Sequence, residues 1–236
     1  MRDTYSFIVP VYNEKENILP TIKEIYKYFD KKKIEILFVD DFSPDGSAKE
    51  IEKHSIRYDK VKLVQHGKKN GIGAALQFGC QYAKGDYLIF LDADLSQSPK
   101  YLEGMIGLID DKTHMVIGSR YLNKSNILNQ SAFRKYGSRL FNIFLQIIFI
   151  LSIKDVTHSF RIFKREIFDK INNEISENGH PSFLIQFTLL AIKKNFQIKE
   201  YPMTFIDRDI SQGVSKLSVS KELFKSLIFI FKYKFK

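Results

Sequence analysis

Two pairs of aspartates stand where apolar runs end: Asp40-Asp41 after Ile34 to Val39, and Asp92 and Asp94, either side of Ala93, after Tyr87 to Leu91. Neighbouring carboxylates repel, and a pocket that keeps them generally supplies a compensating cation, either a metal or a ligand's donor group. Oxygen ligands suit Mg2+ or Mn2+, which lose water reluctantly and bridge to a substrate's phosphates. The pair at 92 and 94 therefore reads as a metal clamp on a diphosphate. A lone aspartate at a strand end has another ordinary use, as helix N-cap or turn former, and four acids at two neighbouring strand ends weaken that alternative. Cations that an anionic partner would need follow in Arg120, Arg134, Arg161, Arg208 and Lys216, although arginines on a basic protein are often simply solvated. A single cysteine and five scattered histidines exclude an internal disulfide and a zinc site of the usual spacing, and point to a reducing, cytosolic setting.

The elements that must position these residues alternate. Tyr5–Val11, Ile34–Val39, Val61–Val64 and Tyr87–Leu91 are short apolar runs, with helical spacing over Ile18–Phe29, Ala48–His54 and Ile72–Ala83 between them. Asn17 is the expected N-cap of the first helix. Near-continuous apolar strands separated by helices predict an α/β fold with a mostly parallel central sheet buried on both faces, its ligands bound beyond the carboxyl ends of the strands. Met115–Ile117 adds one more strand, ending at Gly118-Ser119-Arg120. Asn70-Gly71-Ile72-Gly73 lacks the third glycine of a dinucleotide loop and any Walker lysine, so it reads as a tight turn into a helix.

The 236 residues fit one large domain, and a 44% hydrophobic share can bury its core. The net charge of +10 favours an anionic partner. From Ser211 to Lys236 there are six lysines against one glutamate, set among Leu223, Phe224, Leu227 and Phe231. Lysines around Phe and Leu suit a helix in a membrane interface better than a nucleic-acid arm, while a core-packing helix with a solvated lysine face stays open. Leu140–Ile153 is a second apolar stretch, about 21 Å long as a helix against roughly 30 Å of hydrocarbon, so it cannot cross a bilayer unaided. Core helix and membrane-surface element are both open for it. Phe7–Val11 is too short for a signal peptide, and no export is expected.

Val9-Pro10-Val11-Tyr12-Asn13-Glu14, Val39-Asp40-Asp41-Phe42-Ser43-Pro44-Asp45-Gly46-Ser47 and Gly85 through Asp92-Ala93-Asp94 to Pro99 together resemble the inverting GT-A glycosyltransferases. Gly118-Ser119-Arg120-Tyr121, Arg134 with Ser138, Asp155 to Arg161, and Phe205 to Arg208 with Ser215-Lys216-Leu217 are similar to the dolichol-phosphate mannosyltransferase branch. The resemblance implies a GT-A catalytic domain over 1–210, with an interfacial segment near 131–153 and a basic amphipathic segment over 211–236. It implies a nucleotide-sugar donor, most simply GDP-mannose, a polyprenyl (dolichyl) phosphate acceptor, and Mg2+ or Mn2+. It also implies a peripheral place on the cytosolic face of a membrane, with room for a membrane-protein partner and no nucleic acid. By position, Pro10, Tyr12, Glu14, Val39, Asp40, Asp41 and Ala93 would surround the donor, and Arg208 and Lys216 would close over its diphosphate. Asp92 and Asp94 would hold the metal, helped by Ser96 or Gln97, while Arg120, Arg134 and Ser138 would grip the acceptor phosphate. The chain departs from the pattern where Thr-Ser-Gly-Phe-Arg becomes Thr157-His158-Ser159-Phe160-Arg161, where the spacing from Arg208 to Ser215 is longer, and where Gln186 replaces an acid.

The implied chemistry explains why no base stands out. A phosphate monoester has a second pKa of about 6 and is already a dianion at neutral pH, so its oxygen needs placement and cations rather than deprotonation. Three other readings remain: a UDP-glucose or other donor, transfer to a glycan hydroxyl with Asp207 or Asp209 as base, and a haloacid-dehalogenase-like phosphatase built on Leu88–Ser96. A non-catalytic membrane adaptor is disfavoured by the intact acids.

Overall fold

The computed structural model describes residues 3–65, 67, 69–176 and 182–207. Nine strands form in chain order: β1 (Tyr5–Val11), β2 (Ile34–Asp40), β3 (Val61–Gln65), β4 (Tyr87–Phe90), β5 (Thr113–Ser119), β6 (Asn126–Leu128), β7 (Arg161–Lys164), β8 (Gln197–Pro202) and β9 (Thr204–Ile206). The helices are α1 (Ile18–Tyr28), α2 (Ser47–Arg57), α3 (Ile72–Tyr82), α4 (Leu102–Ile106), α5 (Ala132–Phe149), α6 (Arg165–Ile171) and α7 (Ser182–Lys193). Seven strands make one sheet in the order β3-β2-β1-β4-β7-β5-β8, and β6 pairs with β9 in a small second sheet.

The first four strands and three helices lie where the apolar runs and the 3.6-residue spacing place them. Every residue of β2 is buried, so its side chains feed two cores. Leu37 and Val39 pack with α3 and α7 on one face; Ile36 and Phe38 pack with α1 and α2 on the other. Gly79 of α3 allows a close approach, since a Cβ there would lie 2.5 Å from Ile8 Cγ2 and 2.8 Å from Val39 Cγ2. Gly71 has φ +86° and opens α3, as the tight-turn reading requires. Asn17 is a correction: it precedes α1 but caps nothing, and its Nδ2 donates instead to Glu14 Oε2 at 2.7 Å.

One strand is reversed, and this sets the site. β7 runs antiparallel to both β4 and β5, so Arg161, its first residue, sits between Phe90 and Ile117. The segment 155–160 that leads into β7 therefore lies at the same edge as the carboxyl ends of β1, β2, β4 and β5. Gly118 lets it come close, donating its N–H to Phe160 O at 2.9 Å.

α5 starts earlier than the apolar stretch that marks it, at Ala132, and ends at Phe149, with Ile153 beyond it in the core. Only Asn142 and Leu145 of this helix are buried. Phe133, Tyr136, Leu140, Ile143 and Ile147, and Ile150 just past its end, are exposed. Among the described residues no helix is long and apolar enough to cross a membrane. The segment 211–236 lies outside the described residues.

A methyl at Gly118 would fall 2.6 Å from Phe160 Cδ1 and 2.9 Å from Met203 Sδ. Gly118→Ala should therefore overpack the contact between β5 and the 155–160 segment and destabilise the protein by about 1–3 kcal/mol in urea unfolding.

Candidate active site

At the ends of β1 and β2 the acids serve the backbone. Asp40 is fully buried, and its Oδ2 accepts from Gln65 Nε2 at 2.9 Å and from Ser43 N at 3.3 Å. Asp41 accepts the N–H groups of Asn70 (2.7 Å) and Gly71 (2.8 Å), pinning the start of α3 to the end of β2. Asp45 Oδ1 accepts from Ser47 N and Oγ, and its Oδ2 from Lys15 N. Here aspartate is used as a turn former, with backbone amides facing the carboxylates.

The loop after β1 is laced to the loop after β2, with Asn13 N donating to Ser43 Oγ and Glu14 N to Ser47 Oγ, both at 3.0 Å. Tyr12 rides on this loop beneath the Lys69 ammonium, 3.4 Å from its ring centroid. Phe42 takes φ +62°, rare for an aromatic residue, and is 53% exposed at the mouth. Of the residues expected around a donor, Pro10, Tyr12, Glu14, Asp40 and Asp41 gather at this edge. Val39 and Ala93 offer no side chain there: Val39 is buried under α3, and Ala93 is buried with its carbonyl accepting from Thr21 Oγ1 at 2.8 Å.

The second acid pair is built differently. Asp92 and Asp94 follow β4 and are partly exposed. Asp94 Oδ1 accepts from Ser96 N at 3.0 Å, a turn closed by Leu95 at φ +56°. Asp92 Oδ2 accepts from Gln97 Nε2 (2.7 Å) and from Ser159 Oγ (2.9 Å). Gln97 Oε1 in turn accepts the Asp92 N–H at 3.3 Å, and Gln97 is fully buried. Gln97 thus grips Asp92 through both ends of its amide. Ser96 is buried and its carbonyl accepts from Ile206 N at 3.1 Å. Among the described residues no three or more His, Cys, Asp or Glu side chains gather around one point. Two hard carboxylates in a half-open position do fit Mg2+ or Mn2+, which keep waters and take further oxygens from a substrate's phosphates.

Arg120 faces this pair from the end of β5. Its Nε and Nη2 each lie 2.8 Å from an oxygen of Asp155, its own N–H donates to Asp155 Oδ2 at 3.0 Å, and Nη2 also reaches Thr157 Oγ1. Burial alone would weaken the guanidinium's charge, but Asp155, with a smaller contribution from Asp92, drives its pKa above the ordinary arginine value. Burial likewise pushes Asp155 up, and Arg120 outweighs it, holding the carboxyl below the usual range. Arg120 therefore reaches the site as half of a buried, bidentate ion pair.

Arg161 is a correction to the expected surface cations. It is completely buried, donating to Thr188 Oγ1 and to the carbonyls of Leu184, Val156 and His158. Burial lowers its pKa to about 9, with only Asp155 opposing. His158 Nδ1 lies 2.7 Å from Gly118 O, which can only accept, so Nδ1 carries the proton and the buried Nε2 has no partner. Burial, reinforced by Arg120, lowers the His158 pKa to about 3. Arg161 and His158 together fix the segment that presents Asp155 to Arg120 and Ser159 to Asp92.

The expected acceptor residues on α5 join the same edge. Ser138 Oγ accepts from Tyr121 OH at 2.8 Å. Arg134 Nη1 donates to Asp207 Oδ2 at 3.1 Å, and Gln130 Nε2 reaches the same oxygen. Asn142 holds the 155–160 segment to α5, accepting from Val156 N and donating to Thr157 Oγ1, both at 2.9 Å. Gln186 is remote from this edge in role: it ties Ser176 and the Glu174 carbonyl to α7. Arg208, Asp209 and Lys216 lie outside the described residues. Asp155, Thr157, Ser159, Asn142 and Lys69 were given no role from sequence. The signal for three of them was the family-like motif Asp155 to Arg161, a polar run set in an otherwise apolar stretch, which marked the segment without assigning roles within it.

The Glycosyl transferase family 2 model matches residues 6–172. The chain is 31% identical over 217 residues to the polyprenol monophosphomannose synthase of Mycolicibacterium smegmatis, covering 90% of this chain and 80% of that protein. It is 31% identical over 229 residues to the dolichol-phosphate mannosyltransferase of Pyrococcus furiosus, covering 96% of this chain and 62%, less than two thirds, of that protein. The solved mannosyltransferase PcManGT from Pyrobaculum calidifontis, in complex with GDP-Man and Mn2+, shares the fold with a TM-score of 0.64 at 17% identity, covering 98% of this chain and 65% of that one.

The buried histidine yields a pH dependence. Its folded pKa of about 3 lies below the ordinary 6.5, so the unfolded chain binds the extra proton between those values. Its contribution to stability is complete above about pH 6.5 and declines as pH falls toward 3, by up to about 1.4 kcal/mol per pH unit. His158→Gln should flatten the fall in unfolding free energy between about pH 7 and 5, measured by urea titration, relative to the parent.

Proposed function

This chain belongs to glycosyl transferase family 2, and we propose that it moves mannose from GDP-mannose to a polyprenyl phosphate with inversion at the anomeric carbon. The observation that carries this reading is the braced pair Asp92 and Asp94 facing a buried arginine and a second, half-exposed one, Arg134, across the carboxyl edge of the sheet. One wall is acidic and the other cationic, as a departing diphosphate and an anionic acceptor require. The two relatives whose names specify mannose transfer to a polyprenol or dolichol phosphate support the choice of sugar and acceptor. The neighbour that carries GDP-Man and Mn2+ supports the donor and a divalent cation.

Asp92 and Asp94 would hold Mg2+ or Mn2+, which when bound offsets the charge of the leaving diphosphate. The chain's own residues do the rest. The loop over Tyr12–Glu14, with Asp41 and Lys69, frames the nucleoside end. Arg120, its charge fixed by Asp155, and Arg134, released from Asp207, offset the acceptor's charge and aim its oxygen at the sugar. The acceptor's dianion attacks directly, so no side chain has to remove a proton. Transfer to a hydroxyl is less well served, since Asp207, a base candidate for it, is in an ion pair with Arg134 and is also bound by Gln130.

α5 gives the acceptor's location. Phe133 (82% exposed), Tyr136, Leu140, Ile143, Ile147 and Ile150 (89% exposed) form an outward apolar stripe flanked by Arg134, Lys135 and Arg139. That composition suits an anionic lipid surface and supports a peripheral seat on the cytosolic leaflet.

With radiolabelled GDP-mannose, a short polyprenyl phosphate and Mn2+, the protein should form a mannosyl phospholipid, and Asp94→Ala should lower kcat/KM by at least about 100-fold. Preference for UDP-glucose, or unchanged activity in Asp94→Ala, would overturn the reading. The double variant Leu140→Asp/Ile147→Asp should lose at least about tenfold in partition onto anionic vesicles, measured by flotation.

A further inference from the structure

Ser159 and Gln97 touch no expected substrate atom, yet both are buried with their polar ends on Asp92. The contacts form a closed set: Gln97 Nε2 donates to Asp92 Oδ2 and, at 2.7 Å, to Ser159 Oγ; Ser159 Oγ donates to the same Asp92 oxygen; Gln97 Oε1 accepts the Asp92 N–H. Asp94, two residues on, is held separately, by the amide of Ser96 in its own turn. The two carboxylates thus owe their positions to different parts of the fold. Asp94 accepts from the local backbone, and Asp92 from a side chain across the β4–β7 seam together with Gln97.

We propose that Ser159 and Gln97 are positioning residues that keep the cation clamp formed before any cation arrives. The proposal rests on the reading of Asp92 and Asp94 as the metal pair. Without a cation the two carboxylates repel and would swing apart into solvent, and each binding event would then bear the cost of bringing them back together. Two donors on Oδ2 offset part of that repulsion and fix the rotamer of Asp92. Ser159 stands where the resembling pattern has glycine, so the hydroxyl is an addition of this chain, and it functions only because Arg161 and His158 hold its backbone in place. Outer partners of metal ligands commonly govern affinity about 10- to 100-fold.

The test is Mn2+ binding to the full chain, followed through the electron paramagnetic resonance signal of free Mn2+, beside thermal unfolding in EDTA. Ser159→Ala and Gln97→Leu should still unfold cooperatively in EDTA but bind Mn2+ about tenfold or more weakly. Ser159→Thr, which retains the hydroxyl, should stay near the parent. Should Gln97→Leu fail to fold, Gln97→Met, of similar length but without the donor, carries the same expectation. A merely structural role would lower the EDTA midpoint and leave Mn2+ affinity alone, and that result overturns the proposal. Asp92→Asn separates the two levels. If it abolishes Mn2+ binding while Ser159→Ala and Gln97→Leu do not weaken it, the brace is refuted and the metal pair stands. If it leaves Mn2+ binding intact, the metal pair itself is refuted.

Discussion

Arg161 is charged, wholly enclosed, and placed at the first residue of the one strand that runs against the sheet. An isolated charge in such a place costs several kcal/mol, and it persists because three carbonyls and the Thr188 hydroxyl share its protons and the Phe187 ring lies 5.9 Å away. Two of those carbonyls, Val156 and His158, belong to the segment that enters β7. The guanidinium therefore acts as an internal template on which the irregular segment 155–160 is wound. Asp155 and Ser159 leave that template in defined directions, and with them the position of Arg120 and of Asp92. The site has its shape because a core residue dictates a loop.

Charge at this edge is allocated in a consistent way. Where an acid has backbone amides to face, as Asp40, Asp41 and Asp45 do, it is consumed by architecture and contributes rigidity to the loops that frame a ligand. At Asp92 the donors Gln97 and Ser159 are neutral side chains, which orient the carboxylate without cancelling its charge. The arginines divide likewise: Arg161 is structural, Arg120 is kept charged at the site by its pairing with Asp155, and Arg134 is held by the partly buried Asp207 on the rim. Net positive charge read from composition is thus a poor guide to where a phosphate goes. Position in the hydrogen-bond network decides.

How much of this was legible in sequence follows from the same physics. β1, β2, β4 and α1 to α3 were readable because those strands are largely buried on both faces and each helix on one, which leaves an unbroken apolar run or a clean 3.6-residue spacing, while the edge strand β3 shows the alternation of Val61, Leu63 and Val64 with exposed Lys62 and Gln65. The reversed strand was not, since Arg161 opens it and a buried arginine is rare enough that composition assigns it to the surface. Asp92 and Asp94 stood out because they are adjacent in sequence, whereas Ser159 meets them only through the β4–β7 pairing, 67 residues away in the chain. Gln97 was visible as a neighbour, but whether an amide offers its oxygen outward or its N–H inward depends on what lies beside it, and that is Ser159. Asn17 shows the local version: a good capping residue was claimed by Glu14 instead.

α5 carries apolar side chains on both faces. Its inner face carries Ser138, Asn142 and Gln146, bonded to Tyr121, to Val156 and Thr157, and to the Lys154 carbonyl, with Leu145 fully buried and Phe141, Phe144, Ile148 and Phe149 packed, partly buried, against the core. Its outer face also carries large apolar side chains, Phe133, Leu140 and Ile147 among them. The helix is seated both by apolar packing and by polar groups satisfied residue by residue, with Asn142 making both ends of its amide count. The consequence reaches function. On the reading proposed here, the helix that would rest on lipid is bonded through Asn142 and Thr157 to the segment that sets Arg120 and Asp92. The headgroup of a lipid-borne acceptor and the residues that receive it are thus fixed to one rigid element, and the distance between membrane and anomeric carbon is set by the fold.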